Sequence, residues 1–233
     1  VQAVAMPMLQ VAYLPAPSVL FSSSGQQSFY KGIIITSKQA SRYLAEHAHA
    51  SPEMRRLPVW SVGAGSAEIL QQVGFEIAYT GNGSAADLAD QICQQGASEP
   101  LLWVSGRDVH LDMVARLNGR GITVNRQVVY HTDGLLTPYQ AVQDYLMSAQ
   151  PAAVIIFSAR TLTQFQLWLA EYVPAVKPAQ LTVLAASFSL AKQAREAGFL
   201  ALQADSPDRQ AVLHLSVCWF QQKFVKQSSQ NLT

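Results

Sequence analysis

Short β-prone runs alternate with helix-patterned segments along the whole chain. The strands read as GIIIT (32–36), PVWSV (58–62), FEIAY (75–79), LLWVS (101–105) and ITVNRQVVY (122–130). Between them, apolar positions recur at helical spacing near 38–48, 64–73, 85–95 and 108–118. This βαβα alternation, with short connections, predicts parallel sheets covered by helices on both faces. The second half repeats the rhythm: VIIFS (154–158), a helix near 159–171, LTVL (181–184), a helix near 188–197, FLAL (199–202) and a last helix near 207–222. Ser84 with Asp87 reads as a capping box, and Ser206-Pro207 predicts Pro at the first position of the last helix.

Two stretches say nearly the same thing. SVGAGSAEILQQVGFEIAYTGNGSAADL (61–88) and AASFSLAKQAREAGFLALQADSPDRQAVL (185–213) each give a strand end, a small-residue turn, a helix, Gly-Phe, a short strand and a capped helix. Ser37 and Ser158, which close IIITS and VIIFS, lie 121 residues apart, and Gly74 and Gly198 lie 124 apart. This register predicts two similar α/β domains, set against the blander reading that all α/β units look alike. The second block is one strand-helix unit short of the first. QAVAMP (2–7) is the expected donor of the strand, so domain 1 is read as 1–8 plus 134–233 and domain 2 as an insertion, 9–133. The chain would cross near Pro7–Pro17 and return near Tyr130–Pro138, giving two lobes with a cleft. It opens on Val1, and QAVAMP supplies a strand without its helix, so a further N-terminal segment is expected.

Composition narrows the function. Of 233 residues, 49% are apolar and 13% charged, enough apolar content to build a core and too much for a disordered chain. A net charge of +1, with scattered basic residues, argues against nucleic acid or a membrane surface as partner. Any anionic ligand must therefore be held by local groups. Cys93 and Cys218 have neither partner spacing nor a CxxC motif, which fits a reducing compartment. The N-terminus does not read as a signal peptide, and no apolar run approaches the roughly 18 residues needed to span a bilayer. A cytoplasmic protein is expected.

In parallel α/β sheets ligands bind beyond the carboxyl ends of the strands. That rule selects Thr36, Ser37 and Lys38; Gly65 and Ser66 in the Gly63–Ser66 turn; Gly106 and Arg107 after Ser105; Tyr130; Ser158, Ala159 and Arg160; and Ser187 and Ser189. Most stand just before a predicted helix, whose free N–H groups and positive dipole end suit carboxylates and phosphates. The plain reading of each serine is an N-cap. Gly63-Ala64-Gly65-Ser66-Ala67-Glu68 begins like a dinucleotide fingerprint but puts Glu68 where the third glycine belongs. The five histidines show no ligand spacing, and His47 and His49 read as solvated near a helix end. There is no Gly-x-Ser-x-Gly elbow. Tyr130 ends a predicted strand, where it either packs or offers a proton.

The strand-then-TS motif IIITSKQA, the VGAGSAEILQQVG motif, the run LLWVSGRDVHLDMVARLNGRGITVNRQVVYHT and the unit VIIFSARTLTQF follow one another in an order that resembles the uroporphyrinogen-III synthase family, over most of the chain. The resemblance implies two α/β domains joined by a two-strand linker, with the active site in the inter-domain cleft. It implies conversion of hydroxymethylbilane to uroporphyrinogen III, in tetrapyrrole (haem) biosynthesis, with loss of water, ring closure and inversion of ring D. Neither metal nor organic cofactor is implied. A monomer is expected, in transient contact at most with the upstream hydroxymethylbilane synthase. Tyr130 matches the family tyrosine held to assist departure of the hydroxyl group, and Ser66 stands where Thr is usual. AASFSL departs from the family motif, with Leu190 at a Thr position, and the family's opening strand with Thr-Arg-Pro is absent. The rival reading is a non-catalytic two-lobed small-molecule-binding protein, since duplicated lobes also serve hinged capture.

Overall fold

The computed structural model describes residues 3–15, 29–47, 52–148 and 150–225. They form two compact units, one of 1–10 with 134–233 and one of 11–133. The chain passes between units inside two strands, β1 (Leu9–Tyr13) and β6 (Val124–Gly134). His49 and Pro17, both read above from the sequence, lie outside the described residues.

The 11–133 unit is built on a six-stranded sheet in the order β1-β6-β5-β2-β3-β4, where β2 is Gly32–Ile35, β3 Val59–Ser61, β4 Ile77–Thr80 and β5 Leu101–Gly106. β6, β5, β2, β3 and β4 run parallel. Helices α1 (Lys38–Glu46), α2 (Pro52–Arg55), α3 (Ala64–Gln71), α4 (Ala85–Gln94) and α5 (Met113–Asn118) connect them. The apolar strands serve two cores at once. Ile33, Ile35, Leu102 and Val104 pack with Tyr43, Leu44 and Leu70 from α1 and α3. Ile34, Leu101 and Trp103 point the other way, onto Leu88 and Ile92 of α4 and Met113 and Leu117 of α5. Period-2 alternation inside an all-apolar run thus fills both faces.

The other unit carries a three-stranded parallel sheet, β7 (Ala152–Ile156), β8 (Leu181–Ala185) and β9 (Leu200–Gln203), in that order. Its helices are α6 (Gln140–Met147), α7 (Ala159–Tyr172), α8 (Phe188–Glu196) and α9 (Arg209–Phe220). Phe165, Trp168 and Leu169 of α7 and Leu190, Ala191 and Ala194 of α8 pack on Ile156, Leu181 and Val183. The succession β7-α7-β8-α8-β9-α9 repeats β2-α1-β3-α3-β4-α4, with α2 as an extra turn before β3. Gly74 and Gly198 end α3 and α8 at the same φ of +88°, and the phenylalanines that follow are 5% and 4% exposed.

Several boundaries differ from expectation. The strand predicted at 2–7 does not form among the described residues; the strand is Leu9–Tyr13 instead. Pro7 has no N–H for a ladder, whereas LQVAY finds a partner in β6. That pairing is antiparallel, since Leu14 N–H bonds Val129 O and Leu135 N–H bonds Met8 O, both at 2.9 Å. With β1 beside it, β6 continues to Gly134, so Tyr130 lies within a strand rather than at its end. The helix expected from 108 starts at Met113, because Asp112 caps it by accepting from Ala115 N–H at 3.1 Å. Pro207 lies outside α9; Asp208 is the cap, accepting from Gln210 and Ala211 N–H at 2.8 and 2.9 Å. Helix α6 has no counterpart among the predicted helices.

Candidate active site

The candidate residues of the 11–133 unit gather at the carboxyl ends of β2, β3 and β5, beside Tyr130 within β6. The β2–α1 turn is set by Ser37, extended at φ −154°, ψ 150°, whose Oγ accepts from Ala40 N–H at 3.1 Å. Such a cap contributes about 1 kcal/mol. Tyr130 reaches the same oxygen from 93 residues away, donating its phenolic proton to Ser37 Oγ at 3.0 Å.

What aims Tyr130 there is an irregularity of register. β5 and β6 pair Trp103 with Arg126, Val104 with Gln127 and Ser105 with Val128, then skip one residue so that Gly106 faces Tyr130. The bulge lets consecutive residues Val129 and Tyr130 pack against the same core cluster, which strict alternation forbids. Gly106 is the other half of the fit. A Cβ there would fall 2.5 Å from Tyr130 Cζ and 2.8 Å from its hydroxyl oxygen. Tyr13 closes the third side, edge-on to Tyr130 with ring centroids 6.4 Å apart, while its own hydroxyl donates to Gln39 Oε1 at 2.9 Å. Burial first, then the nearby Glu46 carboxylate, raises the Tyr13 phenol above its ordinary pKa.

Beneath this lies a second network. Arg126 donates from Nε to Ser105 Oγ at 2.8 Å and from Nη2 to the carbonyls of Gly106 and Arg107 at 2.6 and 2.7 Å. Its guanidinium lies 4.8 Å from the centre of the Trp103 ring, its partner in the β5–β6 register. Trp103 in turn donates from Nε1 to Thr36 Oγ1 at 3.1 Å. Thr36 is thereby engaged as an acceptor within the protein, and the backbone of Gly106 and Arg107 is fixed by one side chain. Neither Arg126 nor Trp103 was legible as a functional residue in the sequence. The available signal was a charged residue placed one strand away from a tryptophan in an otherwise apolar sheet.

Lys38 lies across the start of α3. A Cβ on Gly65 would meet Lys38 Cε at 2.5 Å and Nζ at 2.8 Å, so glycine is what lets the ammonium rest there. The α3 cap is Gly63, which has no side chain to satisfy the first N–H groups. A lysine ammonium and open helix N–H groups at one point favour an anion. Ser66 lies deeper, 4% exposed, with its carbonyl accepting from Ser41 Oγ at 2.9 Å. Arg107 is exposed, and its N–H bonds Tyr130 O at 2.9 Å. His47 is not simply solvated as expected. It stacks on Tyr43 at 4.3 Å, with Nδ1 2.8 Å from the Tyr43 carbonyl, because capping α1 turns the imidazole back along the helix.

In the other unit Ser158 caps α7, accepting from Thr161 N–H at 3.1 Å, with Ala159 and the exposed Arg160 in the first turn. Ser187 caps α8 by accepting from Leu190 N–H at 3.4 Å, and Ser189 is exposed beside it. Both turns end neighbouring strands, β7 and β8. Among the described residues no three His, Cys, Asp or Glu side chains gather as metal ligands, and no helix is long and apolar enough to cross a membrane.

Residues 1–214 match the family described as uroporphyrinogen-III synthase HemD. The chain belongs to the uroporphyrinogen-III synthase family. Its fold is similar to that of uroporphyrinogen-III synthetase from Helicobacter pylori, at a TM-score of 0.67 and 18% identity over 94% of this chain and 95% of that one. It is also similar to a mutant uroporphyrinogen III synthase from Thermus thermophilus, at a TM-score of 0.51 and 16% identity over 93% and 88%. At such identities the likeness is one of fold, the two-domain α/β architecture of these synthases. Membership of the synthase family favours catalysis over the binding-protein reading.

Proposed function

We infer that this chain acts as a uroporphyrinogen-III synthase, a cofactor-independent cyclising lyase. Its substrate would be hydroxymethylbilane, closed with loss of one water and inversion of ring D. The observation that carries the reading is Tyr130, a phenol fixed by Ser37, Gly106 and Tyr13 at the carboxyl edge of a parallel sheet, in a chain of this family. Departure of the substrate's hydroxyl group needs a proton, and a directed phenol supplies one. The carboxylates of the linear tetrapyrrole suit the open N–H groups of α3, Lys38 and Arg107.

The free substrate closes unaided to the uninverted isomer, so the protein's task is mainly conformational: to present ring D for attack at its substituted carbon. The test generates hydroxymethylbilane in situ with its upstream synthase, adds this protein, oxidises the products and separates isomers I and III by chromatography. Predominant isomer III is expected, with Tyr130→Phe slowing its formation on the order of 100-fold. Isomer I alone, at the spontaneous rate, would overturn the reading, and an undiminished Tyr130→Phe would remove the phenol from the chemistry.

A further inference from the structure

Ser37 has a second task that capping does not explain. A hydroxyl oxygen has two lone pairs. On Ser37 both are taken, one by Ala40 N–H at 3.1 Å and one by the Tyr130 phenol at 3.0 Å. Its own proton has no acceptor among the described residues. The matching serine of the other unit shows what capping alone looks like. Ser158 has nearly the same backbone, φ −147°, ψ 150°, caps Thr161 N–H at 3.1 Å, and finds its other partner in the hydroxyl of that same Thr161, 2.8 Å away. Only Ser37 of this pair is wired to a distant phenol.

Resting on the synthase reading, we propose that Ser37 is a positioning residue for Tyr130, holding the phenol in line and then stabilising it once its proton is given away. In the ground state Tyr130 donates to Ser37. As the substrate's C–O bond breaks, the electron pair leaves with oxygen, which takes the Tyr130 proton and departs as water. The adjacent pyrrole nitrogen feeds its lone pair to the carbon left behind. Ser37 then rotates its O–H to donate to the phenolate, reversing the hydrogen bond without moving a heavy atom. The ring carbon that closes the macrocycle later sheds one proton, which restores the phenol, so the net change is loss of one water. Gly106, Tyr13 and the bulge after Ser105 hold the phenol against Ser37, so the reversal costs little reorganisation.

A double-mutant cycle on the full chain tests this. Ser37→Gly keeps the α1 cap to within a few tenths of a kcal/mol, so the fold survives. It is expected to lower kcat for isomer III about tenfold at nearly unchanged KM, to be rescued within about threefold by Ser37→Thr, and to have no further effect in a Tyr130→Phe background. The 13Cζ resonance of Tyr130, assigned by its loss in Tyr130→Phe, should move in Ser37→Gly and return in Ser37→Thr. Full additivity of the two substitutions, an unchanged kcat, or an unmoved resonance each overturns the relay. Absence of isomer III from the wild-type protein overturns the synthase reading and the relay with it, whereas isomer III with an additive cycle overturns the relay alone.

Discussion

The β2–α1 turn at Ser37 and the β7–α7 turn at Ser158 are the same piece of backbone used in two ways. Each follows a parallel strand, holds serine near φ −150°, ψ 150°, and caps the N–H three residues on. Around Ser158 the remaining contacts are local, within one turn of helix. Around Ser37 the second partner is Tyr130, 93 positions away, while Lys38 of the same turn lies over α3 and Arg126 of β6 holds the Gly106 carbonyl. The next pair differs in the opposite sense. Ser187 satisfies the start of α8 with its own hydroxyl, whereas Gly63 leaves the start of α3 open. Both units place serine-capped helix starts after parallel strands; of the Ser37–Ser158 pair, Ser37 also meets a distant phenol.

The sharpest break of that asymmetry is Gly106→Ala. The glycine is not at positive φ, so the only obstacle is the new methyl against the Tyr130 ring. Displacing the phenol by even an ångström should slow isomer III formation on the order of 100-fold, while overpacking costs about 1–3 kcal/mol in urea unfolding. Retained turnover would mean that the phenol's seat is not what matters.

A smaller effect tests the symmetry itself. Gly74→Ala and Gly198→Ala both force a methyl-bearing residue to φ +88°, with nothing within 4 Å of the first and only Pro178 Cβ at 3.6 Å from the second. Each should lose about 1–2 kcal/mol in urea unfolding, by backbone strain rather than by clash. Clearly unequal losses would show that the two αL turns, though alike in shape, are supported differently.

The smallest effect separates the last pair of caps, Ser84 of α4 and Asp208 of α9. The Ser206 hydroxyl first, and the backbone N–H groups of the cap after it, hold the Asp208 carboxyl below its usual pKa. A carboxyl with a depressed folded pKa stabilises fully above its unfolded value and loses that contribution as pH falls through the folded one. Replacing Asp208 by Ser, as in the matching cap, should therefore lower the urea midpoint slightly at neutral pH and not at all in strong acid. A difference independent of pH would assign the effect to the cap geometry instead of the charge.

The sequence by itself determined what depends on near neighbours. Serine before a helical pattern placed the caps of α1, α4, α7 and α8, since the hydroxyl bonds an N–H only three residues on. The alternation of strands and helices announced parallel sheets, and Gly-Phe at two places announced the repeat. Local chemistry also misled where competitors stood close together: Pro207 looked like a helix start until Asp208, one residue later, proved the stronger cap. Tertiary structure decided the rest. LQVAY became a strand because β6 had a free edge, and Arg126 acquired its role by lying opposite Trp103 in the register. One skipped residue between β5 and β6 turned Tyr130 toward Ser37 and away from the face that regular alternation assigns it. The parallel sheet brings together residues from 20 to 93 positions apart, and its register is fixed by the packing of both faces together, which no local pattern encodes.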